Sequence, residues 1–233
     1  MALILHIETA TRVCSVALSK DLALLSFRES SSPNTHSTLV TVFINEVLEE
    51  AGIVLSRLDA VSVSKGPGSY TGLRIGAAVA KGLCYAQNKP LIAVPTLQAM
   101  AVGMGTIPSG SEAPVFLCPM LDARRMEVYC SMYSKDLQEL MPTRAVIVQE
   151  DSFSEFLGKG PVLFGGEGAE KCRPLLVHQP NAKFASGFSA SAAHMIPLSL
   201  ARFNAGQFED TAYFEPFYLK EFVAGKPRVK GLQ

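Results

Sequence analysis

The stretch LILHIETATRVCSVALSKDLALLSFRES, Leu3 to Ser30, decides the fold. It holds three short apolar runs in quick succession, LILHIE, RVCSVALS and LALLSFRES, each the length of a strand, with Lys20-Asp21 leaving room only for a tight turn between the second and third. The three read as an antiparallel meander. The period then changes. In HSTLVTVFINEVLEEAG, Leu39, Phe43, Val47 and Ala51 recur at helical spacing, with Thr35 as a cap and Gly52 as the stop. DAVSVSKG follows as a strand, KGPGSYTGLRIGAAVAKGL (Lys65 to Leu83) as a turn and helix, LIAVP as a strand and TLQAMAVGM as a helix. The order is βββαβαβα.

Past the Gly/Pro/Ser-rich GTIPSGSEAP the same grammar recurs loosely. Strands are expected at PVFLCPML, RMEVYCSMYS and RAVIV, then a helix from Asp151, a strand PVLFGG and a helix from Ser189 to Ala205. A meander followed by alternating helices and parallel strands, present twice, is the plan of the two-lobed α/β fold of actin, the sugar kinases and the Hsp70 ATPase, a ribonuclease H-like fold in which each lobe is a mixed sheet flanked by helices. Residues 1–105 are expected to form one lobe and 106–233 a smaller second one. The 189–205 helix would pack back on the first lobe, with Pro197 kinking it or limiting it to its later part. The tail YLKEFVAGKPRVKG is basic, punctuated by Gly and Pro, and expected to be flexible.

The chain has 233 residues, 48% of them apolar, which is ample material for a buried core. Its 21 basic and 21 acidic side chains cancel, so no whole-protein field captures nucleic acid, and strong unaided RNA binding is not expected. Cys14, Cys84, Cys118, Cys130 and Cys172 are scattered through apolar runs without a C-x-x-C pair, and read as reduced core residues of a cytoplasmic protein. MALILHIETA lacks a basic leader and meets Glu8 too soon for a signal peptide or a membrane span.

The Lys65 to Leu83 stretch fails as a phosphate loop of the G-x-x-x-x-G-K-[ST] type and as a G-x-G-x-x-G fingerprint, since the third position after Gly68 is Thr71. What remains is a Gly-Pro-Gly turn with Ser69 or Thr71 as helix cap and Arg74 one turn in, whose amides are also able to hold an anion. Gly68, Gly72, Gly76, Ala80 and Cys84 fall every fourth residue and make a stripe without bulky side chains. Two glycines inside a helix cost about 2 kcal/mol relative to alanine, so another element approaches closely. That element is either the chain's own sheet or neighbouring helix, or a separate subunit. The surplus of apolar residues on the preceding helix, Val40, Val42, Phe43 and Ile44, favours a subunit. The expected contact patch is Leu39, Val40, Phe43, Val47, Gly72, Gly76, Val79 and Ala80.

The blocks ILHIETATRVCSVALS, HSTLV, KGPGSYTGLRIGAAVAKGL, DARRMEVY and EPFYLK occur in this order, and with them the chain resembles the TsaB (YeaZ) family over nearly its whole length. The resemblance implies an actin-like fold and a part in making N6-threonylcarbamoyladenosine in tRNAs that read codons beginning with adenine. It implies that the paralogue TsaD transfers the threonylcarbamoyl group and that this chain is its required, non-catalytic partner. The ATPase TsaE joins them, the chain pairs with itself when TsaD is absent, and tRNA is met only through the complex. No cofactor of its own is implied, and ATP or ADP would sit at the junction with TsaD. TsaD-like proteins carry H-x-x-x-H, but here His36 is followed four residues later by Val40, so no metal is expected. The superfamily's first phosphate loop has an aspartate after the first strand, where this chain has Glu8 followed by Thr9. A vestigial nucleotide or anion site would draw on Glu8, Thr9, Gly66, Gly68, Ser69, Thr71 and Arg74. The alternative is a stand-alone nucleotide-dependent kinase or ATPase using Glu8 and the glycine turns, among them Gly165, Gly166 and Gly168 of FGGEGAE. Asp122, Arg124 and Arg125 lie at a turn between strands, as a structural ion pair or as charges that brace the lobes or meet a partner.

Overall fold

The structure is a computed structural model, and it describes residues 1–32, 36–107 and 116–220. Two five-stranded mixed sheets repeat one topology. In the first, β1 (Leu3–Glu8), β2 (Cys14–Lys20) and β3 (Ala23–Ser30) form the antiparallel meander. Next come α1 (His36–Glu50), β4 (Ala60–Gly66), α2 (Tyr70–Gln87), β5 (Leu91–Pro95) and α3 (Thr96–Gly105), with β4 and β5 parallel to β1 in the order β3-β2-β1-β4-β5. The second runs β6 (Phe116–Asp122), β7 (Glu127–Ser134), β8 (Glu139–Ile147), α4 (Ser154–Leu157), β9 (Val162–Gly165), α5 (Glu167–Leu176), β10 (Ala182–Ala185) and α6 (Ile196–Asn204), in the order β10-β9-β6-β7-β8.

Central strands buried on both faces dictate where the helices go. Leu5 and Ile7 of β1 join α1 and α2 in one core, whereas Ile4 faces the opposite side with Ala99 of α3 and Leu198 and Phe203 of α6. The sheet side of α6 also carries a buried polar contact. The ring of His6 lies 2.9 Å from the Ser19 hydroxyl and 3.2 Å from that of Ser199, which in turn meets Ser62 at 2.8 Å. Burial pushes the His6 imidazole down to about 3, so it is neutral in the fold.

Helix α3 is apolar around most of its circumference, and its neighbours explain why. Leu97, Met100, Ala101 and Met104, at i, i+3, i+4 and i+7, pack on the second sheet, while Ala99 packs on the first. Met104 fills the room beside Gly165 and Met100 that beside Gly166. The His194 ring occupies the space beside Gly103 and stacks on Phe188 at 5.3 Å. One buried helix therefore joins both lobes.

Several elements differ from their sequence reading. The helix expected from Asp151 is the single turn α4, because Phe153 adopts the left-handed conformation at φ 65 immediately before it. RAVIV is the end of a longer edge strand, β8, which tolerates Pro142 because one side of it is unpaired. Strand β10 has only four residues and no clear alternation. The Ser189 to Ala205 helix is confined to Ile196–Asn204, with a 3-10 turn before it and Pro197 in its first turn. Tyr218 to Lys220, expected to be flexible, are packed against the body of the protein, and the rest of that tail lies outside the described residues, as does Thr35. All five cysteines are buried and free.

Candidate functional site

Chain turns from both sheets converge on a cleft of about 1010 Å³ between the lobes. Its first-lobe wall is the turn after β1 and the start of α2. Glu8 Oε1 accepts a 2.6 Å bond from the Ala10 N–H, the Thr9 hydroxyl donates to the Gly72 carbonyl at 2.8 Å, and the Ser69 N–H donates to the Ala10 carbonyl at 2.7 Å. His36 Nε2 reaches the Thr11 carbonyl at 2.9 Å, tying α1 to the same turn. The second-lobe wall is the β6–β7 turn. There Asp122 accepts from the Arg124 N–H at 2.7 Å and from Lys171 at 2.5 Å. Burial alone would raise the Asp122 carboxyl, but the Lys171 ammonium and the Arg124 N–H outweigh it and hold it below the ordinary aspartate range. Phe217, Tyr218 and Lys220 complete the rim.

This geometry corrects the expected contact patch. Gly72 and Gly76 face inward, where the Thr9 carbonyl and hydroxyl occupy the positions a Cβ would take, and Gly68 meets the Ala10 carbonyl in the same way. Ala80, Val40, Phe43 and Val47 are buried in the core shared by α1, α2 and the first sheet, and Leu39 and Val79 pack against it while half-buried. The stripe serves the chain's own first lobe. Its close neighbour is the turn after β1, a contact that no helical periodicity reveals. What α1 and α2 leave outside is a different row: Val42 on α1 and Ala78, Gly82 and Tyr85 on α2, with open space beside Gly82.

The expected anion site is also altered. Gly68, Ser69 and Thr71 do line the cleft. Their surroundings, however, do not fit a phosphate cradle. The Ser69 N–H is bonded to Ala10, the Gly72 N–H to the Ser69 hydroxyl, the Leu73 N–H to the Ser69 carbonyl and the Gly66 N–H to the Thr96 hydroxyl. Arg74 lies over the Tyr70 ring, 5.2 Å from its centroid, so its guanidinium is engaged by an aromatic face. Glu8 is fully buried, its Oε2 has no hydrogen-bond partner, and burial pushes the carboxyl up to about 7 against the opposing pull of the Ala10 N–H and of the nearby Ser64 hydroxyl and Thr9 N–H. Gly165, Gly166 and Gly168 are filled by Met104, by Met100 with the Met120 carbonyl, and by Leu121. Asp122 pairs with Lys171, a cation that spacing along the chain did not suggest, while Arg124 and Arg125 take left-handed conformations in an exposed turn. Among the described residues no cluster of His, Cys, Asp and Glu is arranged to hold a metal.

Sequence reading missed Arg12, Tyr70, Glu167 and the Phe217 to Lys220 rim, all of which line the cleft. The signal for the last was present in EPFYLK, an aromatic and basic run in a stretch with no strand or helix pattern.

A family model described as TsaD, tRNA N6-adenosine threonylcarbamoyltransferase, matches residues 30–222. The tRNA threonylcarbamoyladenosine biosynthesis protein TsaB of Escherichia coli (strain K12) is 30% identical over 231 residues, covering 96% of this chain and 96% of that protein. The solved structure of YeaZ from Pseudomonas aeruginosa, 24% identical, superposes with a TM-score of 0.79 over 94% of this chain and 100% of that one. The activator of 2-hydroxyisocaproyl-CoA dehydratase from Clostridium difficile, with bound ADPNP, is 8% identical and shares the fold at a TM-score of 0.51 over 88% of this chain and 96% of that chain.

Proposed function

Since the chain belongs to the TsaB (YeaZ) family, we propose that it is the accessory subunit of a tRNA threonylcarbamoyladenosine biosynthesis system, working through a TsaD-type transferase and not by chemistry of its own. The observation that carries this reading is the state of Glu8. The acid that ends β1, in the phosphate-loop position, is wholly buried, bonded to its own turn and raised toward neutrality, so it does not present a carboxylate to the cleft. The internally bonded amides around Ser69 support the same view. Nucleotide used by the system is taken by the sister subunit or at its junction with this chain, and TsaE supplies the ATPase.

The docking surface for TsaD is the outer face of α1 and α2, centred on Val42, Ala78, Gly82 and Tyr85, where small and apolar side chains let another helix pair come close. A specific interface of this kind buries roughly 1,600 Å² in total. The same face pairs two copies of the chain when TsaD is absent. With zero formal net charge the chain meets tRNA through the complex.

Reconstitution of the modification from purified TsaD, TsaE and the enzyme that supplies the threonylcarbamoyl adenylate tests the reading. Modification is expected only when this chain is added, and undiminished modification without it overturns the proposal. Calorimetry of the isolated chain with ATP and Mg²⁺ separates it from a stand-alone ATPase, for which tight binding with turnover would be seen.

A further inference from the structure

The cleft has walls of unequal strength. Its second-lobe wall is tied through Leu121 and Tyr129 to a core that spans the lobes, where α3 lies between the sheets with Met100 and Met104 set against Gly166 and Gly165. A junction buried and apolar to this degree resists relative rotation of the lobes, so the cleft does not widen by hinging. The exception is the chain after Phe214. Up to that residue it is firmly held: the Glu209 N–H donates to the Leu91 carbonyl at 2.9 Å, Lys81 donates to the Ala212 and Phe214 carbonyls at 3.0 and 3.1 Å, and Phe214 is buried in the first-lobe core.

From Glu215 to Lys220 the backbone crosses from the first lobe to the second along the cleft. Its attachments are the Phe217 N–H on the Lys65 carbonyl at 2.6 Å, the Tyr218 ring tilted on Tyr70 at 4.9 Å, and an ion pair of Lys220 with Glu127 of β7. Phe217 and Tyr218 remain 42% and 37% exposed, and ion pairs near the surface contribute little. The contact is nevertheless a built one. Gly66, at φ 109, leaves open the position where a Cβ would come within 2.5 Å of the Phe217 carbonyl oxygen. A segment with a shaped seat and few buried contacts opens locally before anything around it does.

We propose that residues 215–220 are a releasable strap. When seated it walls the cleft. When Lys220 leaves Glu127 and Tyr218 leaves Tyr70, the Lys65 to Tyr70 turn and the cleft floor are uncovered while the lobes stay fixed. A ligand or subunit that takes over Tyr70 or Glu127 therefore opens the cleft by displacing the strap.

Hydrogen exchange on the full chain, followed by mass spectrometry, tests this with Lys220→Ala and Tyr218→Ala. Amides of 215–220 are expected to exchange about tenfold faster or more in either variant, while those of α3 and α6 are unchanged. A reporter cysteine, Thr11→Cys, lies in the cleft at 8% exposure in a protein whose own cysteines are buried, and its maleimide labelling is expected to accelerate in the Lys220→Ala background. Spin labels on Leu24→Cys and Ile147→Cys, one in each lobe, should report the same distance with the strap seated or released. Strap amides as protected as those of α3, labelling indifferent to Lys220, or an interlobe distance that broadens on release would each overturn the proposal.

Discussion

Thr9 and Gly72 interlock. The Thr9 hydroxyl donates to the Gly72 carbonyl at 2.8 Å, while the Thr9 carbonyl sits where a side chain on residue 72 would begin. The turn that closes the first strand and the helix that lines the cleft are thus fixed to each other by one side-chain bond and one close backbone contact.

Gly72→Ala is expected to destabilise the fold by about 3 kcal/mol, since the atom it meets is a main-chain oxygen that has no rotamer to change. Gly82→Ala, on the open side of the same helix, should stabilise by about 0.5–1 kcal/mol through helix propensity alone. Urea denaturation of the two variants checks the contrast. Equal effects would mean that the two faces of α2 are not distinguished in this way.

Binding to TsaD should respond to the outer face only. Gly82→Leu and Val42→Glu are expected to keep the thermal midpoint within a few degrees and to weaken co-elution with TsaD by about tenfold or more. If both variants, shown to be folded, bind at normal affinity, the docking surface lies elsewhere.

Glu8 and His6 give the protein opposed pH dependences. The Glu8 carboxyl is raised from 4.5 to about 7, so its contribution is complete below pH 4.5 and is lost as pH rises through 7, when a buried charge must form. Glu8→Gln should therefore be more stable than the parent at pH 8, by on the order of 3 kcal/mol, and nearly equal to it at pH 4.5. Unfolding free energies at the two pH values decide this, and an equal difference at both would refute it.

His6 acts in the other direction. Its imidazole is lowered from 6.5 to about 3, so its contribution is complete above pH 6.5 and is lost as pH falls toward 3, because the unfolded chain takes up the proton first. His6→Gln should abolish most of the decline in stability between pH 6.5 and 4. A slope that persists unchanged in the variant would assign the decline to other groups.

The two-lobed plan was legible because strand-length apolar runs give way to helical spacing at each change of element, and Leu3 to Ser30 holds three such runs in close succession. The surface was harder to read. A row of small residues states that something lies close without saying what, and here the answer was Thr9, more than sixty residues away in sequence. Of the apparent surplus of Val40, Val42, Phe43 and Ile44, only Val42 stays outside, because α1 also serves as the cover for β2, which a single sequence does not show. Lys171 as the partner of Asp122, and Lys220 as that of Glu127, follow only once the second sheet is assembled.

The placement of α3 and α6 has a consequence for any attempt to divide the molecule. The first half of the sequence encodes the helix that coats the second sheet, and the second half encodes the one that docks beside β5 and β1. Fragments severed near residue 105 would each leave a hydrophobic face bare, so they should precipitate when made singly and recover a native particle only by complementation in one tube.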